Sequence, residues 1–247
     1  MVYRFIWSLL LLCLLSLKLV SAEPITISIV GEEMIDYSNR DGSGYYLDLV
    51  RRIFPEPEWQ LNVDLVPFAR SLYLVEQKRA DMGLGVYSGD VSSSYYSREP
   101  IEVDKVDVAV TPELAAIWKG VSSLKQKKVQ AMLEYRFDSF VNVPMYYEEN
   151  SDLLQMLNHV NSGRIDAVMY YKDEMEKLST KLHHPRQYVI IENVLAPAVY
   201  FVFAHTPKGE RLKVIFDSKM DELIQSGEVD KIFHKYMPNR DRLQSIQ

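Results

Sequence analysis

Hydrophobic positions along the chain change repeatedly from the twofold repeat of a strand to the longer repeat of a helix. Residues 25–30 form a β-branched run that ends at Gly31, which is typical of a buried strand. After the turn-forming residues 39–44, apolar positions between Tyr46 and Phe54 recur at helical spacing, and Pro55 ends that helix. A strand followed by an amphipathic helix is therefore the first predicted unit.

The same alternation continues to the end of the sequence. Seven more segments are predicted as strands: 61–66, 82–86, 106–110, 129–133, 165–170, 188–191 and 198–204. Five more are predicted as helices: 69–79, 153–160, 175–182, 208–225 and 229–236. Strands interleaved with helices indicate an α/β protein, and we expect largely parallel sheets.

One local pattern occurs twice. In Lys78–Gly83 and again in Gly163–Val168, a helix passes through a tight basic turn and an Asp into a buried strand. Two similar α/β halves in one chain predict two lobes with a cleft between them.

The first 22 residues have the three parts of an export signal. Arg4 gives a positive start, residues 5–17 are almost continuously apolar, and residues 20–22 suit cleavage after Ala22. The apolar run is shorter than the ~20 residues that span a bilayer, so cleavage is favoured over retention as an anchor. Cys13 lies inside the run and not at the cleavage point, which argues against lipidation.

Charge and cysteine content exclude several classes of function. Loss of the signal would remove Arg4 and Lys18 and take the formal net charge from −6 to −8. An acidic chain is a poor partner for nucleic acid or for anionic lipid surfaces. The only Cys leaves with the signal, so we expect no disulfide, no thiol nucleophile and no Cys-based metal site.

Other residues that suggest chemistry do not form a recognisable site. His183 and His184 are adjacent and cannot share a helix face, and no third ligand follows at metal-binding spacing. The run 92–94 consists of three serines, but it lacks the glycines of a nucleophile elbow and a matching His base. We therefore expect no cofactor, no metal and no catalysis.

Four motifs, in their order and spacing, carry a resemblance to a known family: Asp41-Gly42-Ser43-Gly44-Tyr45-Tyr46-Leu47-Asp48-Leu49, Val66-Pro67-Phe68-Ala69-Arg70 through Ala80-Asp81, Leu157 to Val168, and Leu223 to Val229. Over nearly all of residues 25–237 the chain resembles the periplasmic solute-binding proteins of family 3, the polar amino-acid-binding type.

The resemblance implies the type II periplasmic binding fold, in which two mixed sheets flanked by helices are joined by two hinge strands. Lobe 1 would comprise residues 23–108 plus 195–247, and lobe 2 residues 109–194. The hinges would lie near 108–111 and 193–197. A monomer of this kind closes on a small polar solute in the cleft and delivers it to an ABC-type permease.

The sequence departs from the family at both anchors for an α-amino acid. Ser92 occupies approximately the place of the Arg that clamps the ligand carboxylate through a bidentate pair. Tyr170 and Tyr171 occupy the place of the Asp that takes the ammonium, with Asp173 two residues later. The resemblance therefore implies the fold and a small polar ligand, without an ordinary amino acid as that ligand.

Candidate ligand-binding residues follow the predicted strands, because ligands of open α/β sheets bind at the carboxyl ends of strands. They are Tyr37, Phe68, Arg70, Tyr87, Ser88, Arg136 and Tyr171. The aromatic residues provide stacking surfaces and phenol donors, and Tyr171 is favoured over Tyr170 for the cleft. The two arginines are candidate anion donors; ordinary solvated surface positions are the alternative for both.

Three hypotheses about function remain open at this level. The first is a periplasmic solute-binding protein for ABC-type uptake, with no catalysis. The second is a ligand-sensing or interaction protein that kept the fold and signals to a membrane sensor, which the missing anchors favour. The third is an enzyme, since the fold also occurs in cyclohexadienyl dehydratases and as a lobe of lytic transglycosylases. We assign no acid or base for the former, and expect no appended transglycosylase domain after Gln247.

Overall fold

The computed structural model describes residues 23–243, so the predicted signal peptide lies outside the described residues. Within these residues eleven strands occur in chain order: β1 (Ile25–Gly31), β2 (Trp59–Leu65), β3 (Met82–Tyr87), β4 (Ser94–Tyr96), β5 (Glu102–Val103), β6 (Val106–Val110), β7 (Lys128–Met132), β8 (Tyr146–Asn150), β9 (Ala167–Tyr170), β10 (Val189–Leu195) and β11 (Ala198–Ala204). Seven α-helices accompany them: α1 (Tyr45–Ile53), α2 (Phe68–Glu76), α3 (Pro112–Ala116), α4 (Leu153–Asn161), α5 (Lys172–Ser179), α6 (Pro207–Gln225) and α7 (Glu228–Tyr236). Between residues 23 and 243, none of the helices combines the length and apolar character needed to cross a membrane.

The strands form two separate sheets. The first has the order β2-β1-β3-β11-β4, with β5 also paired to β11, and the second has the order β10-β6-β9-β7-β8. In the first sheet β1 runs parallel to β2 and β3, whereas β11 is antiparallel to its partners. In the second, β7 runs parallel to β8 and β9, and β6 is antiparallel to β9 and β10. Both sheets are therefore mixed, and the expectation of largely parallel sheets is wrong. The strands on either side of the passages between the sheets, β5, β6, β10 and β11, all pair antiparallel with their neighbours.

The chain passes twice between the sheets. The first passage is Asp104–Lys105, between β5 and β6, and the second is Ala196–Pro197, between β10 and β11. The expected division at residue 108 and most of the expected hinge at 108–111 fall on β6, which pairs only with strands of the second sheet, so the first passage lies a few residues earlier than that division. All five residues of β6 are buried, so their apolar pattern does not indicate which sheet they join.

Four elements of the structure have no counterpart in the predicted set. The strands β4, β5 and β8 and the helix α3 all lie in stretches where no strand or helix was predicted. Strand β8 is an edge strand whose residues are exposed or half-buried. Its sequence, Tyr-Tyr-Glu-Glu-Asn, lacks the apolar alternation that indicates a strand. The segment is a strand because it pairs with β7.

The core on the first sheet is largely aromatic. The ring centroids of Phe201 in β11 and Phe216 in α6 are 5.6 Å apart, and the rings meet edge to face. Tyr46 of α1 meets Phe201 in the same way, with ring centroids 5.2 Å apart. Such pairs are favoured by the ring quadrupoles in addition to the area that they bury. The C-terminal helix α6 thus returns to the first sheet and packs on β11 and β4, while α7 packs against α1 and α6.

A glycine fixes the loop between β1 and α1. Gly44 has a φ of 123°, and a Cβ at this position would lie 2.3 Å from the carbonyl oxygen of Tyr37. The backbone N–H of Tyr46 donates to that same oxygen at 2.9 Å. The absence of a side chain at Gly44 therefore allows α1 to begin directly against the loop that carries Tyr37.

We expect Gly44→Ala to reduce the free energy of unfolding more than Gly120→Ala does. Both glycines have positive φ, but a Cβ at Gly120 would meet no atom within 4 Å. Gly120→Ala should cost about 1–3 kcal/mol for backbone strain alone, and Gly44→Ala about 2 kcal/mol more for the overlap with Tyr37. Urea denaturation of both variants measures the difference, and equal losses would contradict the steric explanation.

Candidate functional site

Five residues at strand ends meet between the two sheets. Glu32 follows β1, Phe68 begins α2 just after β2, and Tyr87 ends β3. From the second sheet, Tyr135 follows β7 and Tyr171 follows β9. The carboxyl ends of neighbouring parallel strands lie at one edge of a sheet, and the two sheets turn these edges toward each other. We call these five residues the strand-end cluster.

Contacts within the cluster join the sheets directly. The hydroxyl of Tyr135 donates to Oε2 of Glu32 at 2.5 Å. The ring of Tyr135 lies 4.7 Å from that of Phe68 and 6.1 Å from that of Tyr171, between ring centroids. Tyr135 is 2% exposed and Phe68 5% exposed, so the rings form a dry contact between the two halves of the protein.

A buried carboxylate stands at the first passage between the sheets. Oδ2 of Asp104 accepts hydrogen bonds from the hydroxyls of Tyr87 at 2.6 Å and Tyr171 at 2.7 Å, and the two hydroxyls are 3.0 Å apart. Oδ1 accepts the N–H of Lys105 at 2.8 Å. One carboxylate thus holds a tyrosine from each sheet.

Burial keeps the phenols of the cluster neutral. Desolvation raises the pKa of Tyr87, Tyr135 and Tyr171 well above the ordinary value for tyrosine, and nearby carboxylates raise all three further, Asp104 beside Tyr87 and Tyr171 and Glu32 beside Tyr135. All three hydroxyls therefore act as uncharged hydrogen-bond donors at any physiological pH.

Glu102 forms a second buried acidic site on the first sheet. It is 1% exposed and accepts the hydroxyls of Tyr37 at 2.9 Å and Tyr46 at 2.5 Å. Nη2 of Arg240 lies 3.6 Å from the carboxylate, and Nη1 donates to the Tyr37 hydroxyl at 2.6 Å. Burial, together with the charge of Asp104, raises the pKa of Glu102 to about 8. The hydrogen bonds from the two phenols and the charge of Arg240 lower the pKa, but by less.

Two further carboxyls near the gap between the sheets have raised pKa values. Burial raises the pKa of Glu32, although the Tyr135 hydrogen bond opposes the shift. Burial likewise raises the pKa of Asp90 to about 7, opposed by the N–H of Tyr87 and by the charge of Arg136. The region between the sheets therefore holds carboxyl groups that are poorly compensated by cations.

A cavity of about 240 Å³ lies beside the Asp104 site. Residues of both sheets and of the connecting loops line it, among them Tyr37, Asp104, Asp107, Tyr171, Lys172 and Arg240. Its volume is below the range of about 300–1,000 Å³ for drug-sized ligands, so it suits a small solute.

A larger cavity of about 590 Å³ lies on α4 and the loop that follows α5, and no member of the strand-end cluster lines it. It includes His183 and His184, both of which are exposed. Within residues 23–243, no group of three or more His, Cys, Asp or Glu side chains is placed to hold a metal ion. The gap between the sheets, where buried polar groups converge, is the better candidate site.

The structure brings together four of the seven sequence-predicted site residues. Phe68, Tyr87 and Tyr171 belong to the strand-end cluster, and Tyr37 is buried against Glu102 and lines the 240 Å³ cavity. Tyr170 packs edge-on against Tyr135 at 5.5 Å, so both tyrosines of the pair face the region between the sheets.

The other three predicted residues are exposed. The guanidinium of Arg70 lies 5.3 Å from the ring centroid of Tyr73 on the outer part of α2. Arg136 has a left-handed backbone, and its N–H donates to Glu149 at 2.8 Å while its side chain is exposed. Ser88 lies in the exposed turn after β3.

The predicted set of site residues left out four residues that the site depends on: Glu32, Glu102, Asp104 and Tyr135. The rule that selected Tyr87 also applies to Glu32, which directly follows the first predicted strand, and to Tyr135, which follows the predicted strand 129–133. Glu102 and Asp104 carry no comparable signal, because only the packing of β5 and of the first passage makes these carboxyls buried.

Comparison with known proteins establishes the fold. The structure is similar to the substrate-binding protein of an amino acid ABC transporter, with a TM-score of 0.63 at 17% identity over 87% of this chain and 100% of that one. It is also similar to an arginine transport-system periplasmic binding protein from Legionella pneumophila (TM-score 0.64, 12% identity, 87% and 100%). The GluR0 ligand-binding core in complex with L-glutamate gives a TM-score of 0.64 at 14% identity over 87% and 99%.

No protein-family model and no curated protein sequence matches the chain. The expected fold class is confirmed: the protein has the type II periplasmic binding protein fold, with two mixed sheets flanked by helices. The structures that it resembles are binding proteins for small solutes, and they share its fold at low sequence identity.

We expect the stability of the protein to fall between pH 5 and pH 8 because of Glu102. Its folded-state pKa, about 8, is raised above the ordinary value of 4.5. Its contribution is therefore complete below pH 4.5 and is lost as the pH rises toward 8. At ~1.4 kcal/mol per pKa unit, the loss over this interval is about 3 kcal/mol.

In Glu102→Gln, which cannot ionise, the free energy of unfolding should depend correspondingly less on pH. Denaturant titrations at pH 5 and pH 8 measure this slope. Glu99→Gln is the matched control, since Glu99 is exposed, and it should keep the wild-type slope. An unchanged slope in Glu102→Gln would show that the buried carboxyl does not titrate in this range.

Proposed function

We propose that this chain is a periplasmic solute-binding protein, which captures a small polar solute between its two sheets and closes on it for ABC-type uptake. The observation that carries the proposal is the strand-end cluster, in which aromatic rings and hydrogen-bonding groups from both sheets converge. This is the place where ligands of open α/β sheets bind. The similarity to substrate-binding proteins of ABC transporters supports the same function.

The two passages between the sheets are the proposed hinges, at Asp104–Lys105 and Ala196–Pro197. Rotation about them would part Tyr135 from Glu32 and Tyr171 from Tyr87, and so open the gap to solvent. A ligand that touches both sides favours the closed form in proportion to its differential affinity for the two forms. The expected lobes then correspond to the first sheet with the C-terminal helices and to the second sheet.

The proposed location and partners follow from the same function. Cleavage after Ala22 would release an acidic monomer into the periplasm, where it would present the closed form to an ABC permease. No catalytic step is proposed, because the carboxyls of Glu32, Glu102 and Asp104 accept hydrogen bonds from neutral phenols.

A second function, signalling to a membrane sensor, is favoured by one observation. The protein's own side chains make the contacts between the sheets, through Tyr135 with Glu32 and through Asp104 with Tyr87 and Tyr171. A closed form that needs no solute suits an interaction protein. Recovery of a sensor domain in a pull-down, with no solute-dependent change in small-angle X-ray scattering, would support this function over transport.

We expect Phe68→Ala to weaken solute binding about tenfold, which corresponds to the loss of roughly 1.4 kcal/mol of aromatic contact. A thermal-shift panel of amino acids, amines and sugars identifies the solute, and calorimetry then compares the variants. Tyr73→Ala is the control on the same helix, because Tyr73 is 45% exposed, and it should change affinity by less than twofold.

Small-angle scattering with and without the solute tests closure. A smaller radius of gyration in the presence of the solute is expected. The proposal fails if no solute of the panel stabilises the protein and native mass spectrometry finds no small molecule bound to the purified chain.

A further inference from the structure

An arginine with unsatisfied donors lines the 240 Å³ cavity. Arg240 follows α7, and its guanidinium carbon lies 5.9 Å from the ring centroids of both Tyr37 and Phe233. Nη1 donates to the hydroxyl of Tyr37 at 2.6 Å, whereas Nε and Nη2 are shielded from solvent and have no hydrogen-bond partner among the described residues. Buried polar groups almost always have such a partner, so two donors of this side chain are available to a ligand.

Glu102 does not satisfy these donors. Its Oε2 lies 3.6 Å from Nη2 of Arg240, which is too long for a hydrogen bond. The carboxyl already accepts the hydroxyls of Tyr37 and Tyr46, and with a pKa of about 8 it is mostly uncharged at neutral pH. The charge of Arg240 is therefore without an ionised partner at hydrogen-bond distance in the part of the chain that the structure describes.

The two free donors are arranged for a carboxylate. Nε and Nη2 lie on one edge of the planar guanidinium, and their N–H bonds form the fork that matches the two oxygens of a carboxylate. Lys105 also lines the cavity, and within residues 23–243 its ammonium makes no ion pair, whereas Lys172 pairs with Glu192 at 2.6 Å. The cavity thus has two cations that lack a hydrogen-bonded counter-ion.

The buried acceptors of the same cavity are already occupied. Asp104 accepts two phenols and the N–H of Lys105, and Asp107 accepts the N–H groups of Lys172 and Asn193, both at 2.8 Å. An ammonium group on the ligand would have to displace these internal donors. A ligand with a carboxylate and no ammonium finds donors that are free.

The remaining acids of the cavity lie at its exposed rim. Glu33 pairs with Arg40 at 2.5 Å and Glu192 with Lys172, and Asp173 is exposed. Exposed charges are screened by water and salt, so the rim opposes an anion at Arg240 only weakly.

We propose that the solute is a small organic acid without an α-ammonium group, and that its carboxylate binds Nε and Nη2 of Arg240 in the 240 Å³ cavity. This assignment rests on the proposed solute-binding function. The guanidinium turns its free edge toward the ligand, and Lys105 supplies a second positive charge. Tyr171, a member of the strand-end cluster, lines the cavity from the second sheet, so the bound acid contacts both sides of the gap and favours the closed form.

Matched pairs of compounds test the ligand class on the unaltered protein. The pairs are L-lactate against L-lactamide and succinate against succinamide, which differ in the carboxylate, and L-lactate against L-alanine, which differs in the ammonium. In isothermal titration calorimetry the acid of at least one amide pair should bind about tenfold more tightly or better, as expected for charge-assisted hydrogen bonds. L-lactate should likewise bind more tightly than L-alanine.

Variants of Arg240 test the anchor with the acid that binds best. Arg240→Gln, which removes the charge and the fork, should weaken binding about tenfold or more. Arg240→Lys, which keeps the charge and loses the fork, should weaken it by an intermediate factor. Lys231→Gln removes the same charge from an exposed position on α7 and should change affinity less than about twofold. Circular dichroism checks that each variant is folded.

The outcomes separate this assignment from the proposed function. Full affinity in a folded Arg240→Gln variant would overturn the role of Arg240, and full affinity in Arg240→Lys would overturn the bidentate pairing. If Arg240→Gln does not fold, Arg240→Lys and the compound pairs still decide. Equal binding of acids and amides, or a preference for an amine, amino acid or sugar, would overturn the ligand class but support solute binding. A complete absence of binding across all solutes would contradict both.

Discussion

Asp104 lies where the chain leaves the first sheet, and a buried carboxylate at such a point requires hydrogen-bond partners. Those partners are Tyr87, at the end of β3, and Tyr171, directly after β9. One oxygen atom therefore fixes the distance between a strand end of each sheet. The meeting of Phe68 with Tyr135 and of Glu32 with Tyr135 depends on this distance, since all these residues lie at the same facing edges.

The site pairs carboxylates with neutral phenols in place of cations, and this affects how readily the halves could separate. Breaking a buried ion pair leaves an uncompensated charge and is strongly destabilising. A hydrogen bond from a neutral donor to a charged acceptor contributes about 1.5–3 kcal/mol net, because water replaces it on opening. Contacts such as Tyr135–Glu32 are therefore of a size that the differential affinity of a ligand is able to overcome.

The fold was largely predictable, because its signal is local and repeated. The β-branched run of β1 and the amphipathic pattern of α1 each indicate their element without reference to the rest of the chain. The polar edge strand β8 and the short β4 were missed, since they exist through pairing with β7 and β11. Similarly, the buried pattern of β6 indicates a strand but does not determine which of the two sheets contains it.

The sequence by itself determined the alternation of strands and helices, the two-lobed fold and the candidacy of Phe68, Tyr87 and Tyr171, because each follows from local periodicity and from strand-end position. Only the tertiary structure decided that Arg70 and Arg136 face solvent, that Asp104 becomes buried and that Glu32 becomes half-buried. The burial of a charged side chain is set by what packs around it, and here the neighbours include Tyr135 for Glu32 and Tyr171 for Asp104, which are 103 and 67 residues away in the chain and follow strands of the second sheet.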